Sequence, residues 1–115
     1  MAELQLLVDG VVVKSFTLDN EKTTIGRSLN NDIVIDEDAV SGVHARIELV
    51  PNEYMEGVFD TYIQDLDSTN GTFVNEERVK RRQLYNADHI RIAWTNFKLV
   101  YDQATDLEAT SIIAQ

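Results

Sequence analysis

Short runs in which apolar and polar residues alternate, each closed by Asp, Asn or Gly, recur along most of the chain. Leu4, Leu6 and Val8 alternate with Glu3 and Gln5. Asp9-Gly10 then gives a turn signal before the apolar run of residues 11–18, and together these predict an opening hairpin. Further strands are expected over residues 23–28, 32–35, 44–50, 59–66, 72–75, 89–94 and 96–102. Within 44–50, Ala45, Ile47 and Leu49 are placed to face a core while Arg46 and Glu48 face water, and Ile90, Ile92 and Trp94 repeat the pattern. Pro51 closes its strand where a missing N–H does no harm, and residues 52–57 form a polar connection. Strands spaced by roughly ten residues suit an all-β sandwich.

Composition agrees with that pattern. Val, Ile and Thr number 12, 9 and 9, so 30 of the 115 residues are β-branched, in runs that lack helical spacing. At 43% hydrophobic and 26% charged the chain is of ordinary globular type, long enough for one domain with a core. The alternation fades after Asp102, which divides the chain into a domain of residues 1–102 and an acidic, then mildly apolar, tail of residues 103–115. Twenty Asp and Glu against ten Lys and Arg leave a net charge of −10, the wrong sign for a general nucleic-acid or membrane-surface binder. The sequence has no Cys, which excludes disulfides, zinc–thiolate sites and thiol catalysis. The chain shows no apolar run long enough to span a membrane and no signal-peptide pattern, so a cytoplasmic location is expected.

Few residues could support catalysis. Ser41 lies three residues before His44, but on a strand that spacing puts the two side chains on opposite faces, so a nucleophile–base pair is not expected. Asp36-Glu37-Asp38 lacks the glycine and terminal glutamate of a calcium loop and reads as a solvated acidic segment, so no metal or other cofactor is expected. Lys80-Arg81-Arg82 is the one basic run and reads as an exposed turn rather than a nucleic-acid contact. More informative are small polar residues at three strand ends: Gly26-Arg27, then Ser41 to His44, then Asp65 to Thr72. One Arg, two hydroxyls and a carboxamide suit a phosphate monoester, because guanidinium donates two parallel bonds and each hydroxyl one. The set includes no acid or base for turnover, which favours binding over hydrolysis.

In order and spacing these segments resemble the forkhead-associated (FHA) domain, a phosphothreonine-recognition module. The resemblance rests on Gly26-Arg27, Ser41-x-x-His44, Asp65-x-x-Ser68-Thr69-Asn70-Gly71-Thr72 and Asn75, and extends over most of residues 2–102. It implies an all-β, twisted β-sandwich of about eleven strands of the FHA/SMAD-like kind, with binding loops at one end and both termini at the other. It further implies that Arg27 and Ser41 bind the phosphate, that Thr69 bonds to it or lines the threonine methyl pocket, and that Asn70 holds the peptide backbone. His44 corresponds to a scaffold histidine beneath the loops, and Gly26 and Gly71 to turn positions that need a permissive backbone. The implied partner is a phosphothreonine-containing protein or peptide made by an upstream Ser/Thr kinase. A scaffold domain that recognises an unmodified protein surface is the alternative reading.

Departures from the family pattern carry expectations of their own. Gly42 stands where many members have an Arg, Lys or Asn that reaches the phosphate, so one auxiliary donor is missing. Ala87 and Ala93 replace frequent glycines. Ala39 lies in the loop that often selects the third residue after the phosphothreonine, and its acidic neighbours Asp36, Glu37 and Asp38 imply poor tolerance of Asp or Glu there. In the tail, Thr110 follows Asp106 and Glu108; once phosphorylated it would reach a neighbouring copy's site more readily than its own, since nine residues span at most roughly 30 Å.

Overall fold

In the computed structural model, which describes residues 2–101, eleven strands follow one another. They are β1 (Ala2–Val8), β2 (Val11–Leu18), β3 (Lys22–Gly26), β4 (Ile33–Val34), β5 (Ala45–Pro51), β6 (Phe59–Asp65), β7 (Thr72–Val74), β8 (Glu77–Val79), β9 (Arg81–Leu84), β10 (His89–Ile92) and β11 (Thr95–Tyr101). Two sheets form, one in the order β2-β1-β11-β10-β7-β8 and the other β4-β3-β5-β6-β9. Every pairing is antiparallel except β3 with β4, where Ile25 pairs with Ile33.

The period-2 alternation is what welds the sheets together. Leu4 on β1, Ile90 and Ile92 on β10, and Phe97 and Leu99 on β11 point inward from one sheet, meeting Ile25, Ala45, Ile47, Ile63 and Leu84 from the other, all fully buried. Each such aliphatic or aromatic side chain contributes on the order of 1.5–3 kcal/mol relative to exposure. The end of the sandwich that carries the β4–β5 loop is fixed by long-range bonds: Glu37, in that loop, accepts from the Trp94 backbone N–H at 3.1 Å and from the Thr95 hydroxyl. Ala2 pairs with Tyr101 at the other end of β11, so the start of β1 and the end of β11 lie away from that loop. Thr110 and the tail fall outside the described residues.

The fold corrects several expectations. Trp94 does not continue the inward series of β10, which ends at Ile92; it caps the turn to β11 and is 85% exposed. Leu49 is only half-buried. Glu37 is tied to the β10–β11 turn rather than merely solvated. Of Lys80-Arg81-Arg82 only Lys80 is an exposed link between strands: Arg81 and Arg82 open β9, where Arg81 bridges Glu48 at 2.9 Å and lies over the Tyr62 ring, and Arg82 pairs with Glu77. β8 and β9 escape the alternation rule because Val79 and Leu84 are their only buried side chains.

Turn chemistry is obeyed at one hairpin and strained at another. Asp9 and Gly10 both have positive φ, 52° and 80°, as a two-residue Asp-Gly hairpin turn requires. Ala93, first residue of the two-residue turn between β10 and β11, has φ 56°, and Ala87 has φ 74°, so both departures from glycine place a Cβ in the left-handed region. Ala93→Gly is expected to stabilise the domain by about 0.5–1 kcal/mol, the relief of left-handed strain exceeding the entropic cost of glycine. Chemical denaturation of the two proteins checks this, and a destabilised variant would contradict it.

Candidate functional site

Three loops meet at one end of the sandwich, and backbone bonds bring the first two together. The Arg27 N–H donates to the Ser41 carbonyl at 3.0 Å and the Ser28 N–H to the Gly42 carbonyl at 3.0 Å. This approach requires glycine at position 26: a Cβ there would lie 2.3 Å from the Gly42 carbonyl oxygen, a clash with backbone that cannot rotate away. Asn31, buried beneath the turn, donates from its carboxamide to the carbonyls of Ser28 at 2.8 Å and Gly42 at 2.7 Å. Asn31 escaped the sequence reading because an Asn-Asn-Asp run signals only a turn.

His44 joins the second and third loops. Its side chain is fully buried; the Ser41 backbone N–H donates to Nδ1 at 3.1 Å, which leaves the ring proton on Nε2 to donate to the Gly71 carbonyl at 2.8 Å. Ser41 and His44 lie in a loop ahead of β5, not on a strand as expected, yet no nucleophile–base pair results. The imidazole uses both nitrogens on backbone, while the Ser41 hydroxyl oxygen accepts from the Thr69 N–H at 3.2 Å.

The third loop is organised by a carboxylate. Asp65 accepts from the Ser68 N–H at 3.1 Å, the Ser68 hydroxyl at 2.5 Å and the Thr72 hydroxyl at 2.7 Å, and the Gly71 N–H donates to the Ser68 oxygen at 3.0 Å. Gly71 has φ 93°, so the turn demands a residue without a Cβ. The loop projects Thr69 and Asn70 outward, both exposed, and Asn70 donates to the Ala39 carbonyl at 2.9 Å. Sequence reasoning quoted Asp65 as part of the motif without assigning it this role; an Asp three residues before a Ser was the available signal.

Arg27, Ser41, Thr69 and Asn70 are thus drawn into one surface, with His44, Gly26 and Gly71 buried beneath it. Arg27 is exposed and spends its Nε on the Val40 carbonyl at 3.1 Å, which fixes the guanidinium plane while its terminal nitrogens make no bond among the described residues. The Ser41 O–H and the Thr69 hydroxyl remain available to donate. The exposed Asn70 carboxamide, whose nitrogen is bonded to Ala39, keeps its oxygen as an acceptor. Three donors and one acceptor therefore face solvent together, a set that can grip a tetrahedral dianion and one peptide N–H.

Burial works to raise the Asp65 pKa, but the hydrogen bonds from Ser68 and Thr72 outweigh it and hold the carboxyl below its ordinary 3.8. Glu48 is likewise below 4.5, its burial offset by Arg81 and Arg46. A depressed folded pKa means stability that is complete above the ordinary carboxylate range and is lost as pH falls through that range and below it. Asp65→Asn is expected to destabilise the domain by about 1–3 kcal/mol at neutral pH and to give a shallower loss of stability in acid than wild type. Denaturation midpoints followed from neutral to about pH 3 test this, and parallel profiles for the two proteins would contradict it.

The family model of the FHA domain matches residues 23–93. Among curated proteins, the glycogen accumulation regulator GarA of Mycobacterium tuberculosis is 37% identical over 86 residues, 75% of this chain and 48% of that protein. The oxoglutarate dehydrogenase inhibitor of Corynebacterium glutamicum is 36% identical over 86 residues, 75% of this chain and 54% of that protein. The chain therefore spans about half the length of the curated relatives it matches. Among solved structures, Mycobacterium tuberculosis EmbR in complex with a low-affinity phosphopeptide superposes with a TM-score of 0.72 at 35% identity, over 86% of this chain and 24% of EmbR. With its family match, its eleven-stranded sandwich and its three joined loops, this chain belongs to the FHA domain family.

Proposed function

We propose that the chain is a phosphothreonine-binding adaptor: it recognises a phosphorylated segment of a partner protein and couples a Ser/Thr kinase to assembly, without catalytic turnover. The observation that carries this reading is the Arg27 guanidinium, oriented by the Val40 carbonyl with its terminal nitrogens uncommitted among the described residues, beside the hydroxyls of Ser41 and Thr69. In this reading Arg27 and Ser41 bind the phosphate, Thr69 bonds to it or packs on the threonine methyl, and Asn70 accepts from the peptide backbone. Binding without hydrolysis fits a site whose one nearby imidazole is buried and engaged through both nitrogens. The complex of EmbR with a phosphopeptide supports the ligand class. The proposal includes a cytoplasmic setting, where ATP-dependent kinases work.

Magnitudes favour local geometry over net charge. A phosphopeptide brings about −1.5 to −2 of charge to a protein of −10, but screening over about 8 Å at physiological salt leaves the direct contacts dominant. Charge-assisted bonds of about 1.5–3 kcal/mol each make Arg27 the largest single contributor. A buried threonine methyl adds about 0.8 kcal/mol over serine.

Arg27→Ala is expected to weaken binding of a fluorescent phosphothreonine peptide by about tenfold or more. A change below about threefold would contradict the role. Gly42 tests the missing donor in the opposite direction. A Cβ at this exposed position would meet only the Ser28 hydroxyl, at 3.9 Å, so a side chain fits. Gly42→Arg is expected to tighten phosphopeptide binding by about threefold or more, with no gain for the unphosphorylated peptide. Equal tightening for both peptides would show that the added arginine does not read phosphate.

A further inference from the structure

Next to the candidate phosphate site, whose one cation is Arg27, lies a pair of cations, Arg78 and Lys80. The Arg78 side chain, rising from β8, crosses Gly71: a Cβ on that glycine would lie 2.6 Å from the Arg78 Nε. Arg78 and Lys80 line a cleft of about 430 Å³ together with Asp65, Asp67, Ser68 and Val79. The cleft shares Ser68 with the turn that presents Thr69, so it is adjacent to the candidate phosphate site.

Among the described residues Lys14, Lys22, Arg27, Arg78, Lys80 and Lys98 form no ion pair, and of these Arg78 and Lys80 line this cleft. Arg46, Arg81, Arg82 and Arg91 all sit in ion pairs with Glu48, Glu77 or Glu76. Arg78 and Lys80 form no ion pair among the described residues, although two carboxylates line the same cleft. Asp65 has its oxygens taken by Ser68 and Thr72. Asp67, at a φ of 57° on the exposed turn, is not within ion-pair distance of either cation.

The loop between β4 and β5 has the opposite sign. Asp36, Glu37 and Asp38 flank Ala39, and Glu37 is fixed to the turn between β10 and β11. In the sheet order β11-β10-β7-β8, Arg78 stands three strand positions from β11. At about 4.8 Å per strand that is roughly 14 Å, close to four residues of an extended peptide at about 3.3 Å each. A peptide held at Thr69 and Asn70 and crossing in extended form therefore meets an acidic loop on one flank and unpaired cations on the other.

Resting on the phosphothreonine reading, we infer that Arg78 and Lys80 are specificity residues that take an acidic side chain of the bound peptide. The acidic residue lies about two to four positions from the phosphothreonine, on the flank opposite the one that passes Ala39. Both cations are at the surface, so the expected preference is that of a partly solvated ion pair, about three- to fivefold.

A parent peptide with one phosphothreonine in an alanine-rich background, and a series carrying a single Asp at each flanking position, are titrated into the full chain. Wild type is expected to prefer Asp at one position of one flank by about three- to fivefold and to disfavour Asp on the other flank. Arg78→Ala is expected to abolish the preference while leaving affinity for the parent within about twofold of wild type. Arg78→Glu is expected to replace it by a preference for Lys at the same position, a reversal that loss of folding could not produce. A flat scan, or a preference that persists in the Arg78→Ala/Lys80→Ala double variant, overturns this inference while the parent still binds through Arg27. A parent peptide that binds no better than its unphosphorylated form overturns the phosphothreonine reading and this inference together.

Discussion

The His44 side chain, with no exposure to solvent, is the point on which the ligand-facing surface depends. Its two nitrogens bond the Ser41 N–H and the Gly71 carbonyl, so one ring fixes the spacing between the second and third loops. In a low-dielectric interior both bonds are strong, and losing either would leave a buried polar group unpaired at a cost of about 1–3 kcal/mol. Around that ring the contacts reinforce one another: Gly26 admits the Gly42 carbonyl, Asn31 ties Ser28 to Gly42, and Asp65 shapes the turn that offers Gly71 to the imidazole. The sandwich beneath supplies a rigid platform, with β5 beginning immediately after His44 and β7 immediately after Gly71.

On the proposed phosphothreonine reading, such a network gives a short-lived modification a stable receptor. Side chains that point outward have their backbones held by inward bonds, so little loop ordering is left to oppose binding. It also separates tasks by depth: buried groups set geometry, and exposed groups supply charge and hydrogen bonds. On the same reading the acidic surface of the domain is a background against which a few oriented cations select the ligand, since screening confines distant carboxylates to a minor influence.

The sequence could be read furthest where one physical rule acted alone. Alternation located Ile47, Ile90 and Ile92 in the core, and Asp9-Gly10 at a hairpin with both residues at positive φ. It failed where the rule was diluted. β8 and β9 have one buried side chain each, Val79 between Arg78 and Lys80 and Leu84 between Gln83 and Tyr85, and β9 is placed by β6 and by the ion pair of Arg81 with Glu48, both distant in sequence. Trp94 was drawn inward by its apolarity, although the hairpin turn places it outside. At the site, the ordered motifs marked the residue types that cluster. What local sequence could not express was the cross-loop bonding: Arg27 to Ser41 and Val40, Asn70 to Ala39, and Asn31 beneath them. The positive φ of Ala87 and Ala93 could be anticipated only because glycine is common at those positions in the family.

The central claim is that a phosphate site stands preformed on loops locked by His44. Amide-resolved NMR of the labelled chain, titrated with a phosphothreonine peptide pool and its unphosphorylated counterpart, tests it most directly. The account predicts shifts only with the phosphorylated pool, centred on Arg27, Ser41, Thr69 and Asn70, while the His44 imidazole keeps its Nε2 proton and its bond to Gly71 throughout. Equal shifts with both pools, or an imidazole that acquires these bonds only when peptide is added, would contradict it.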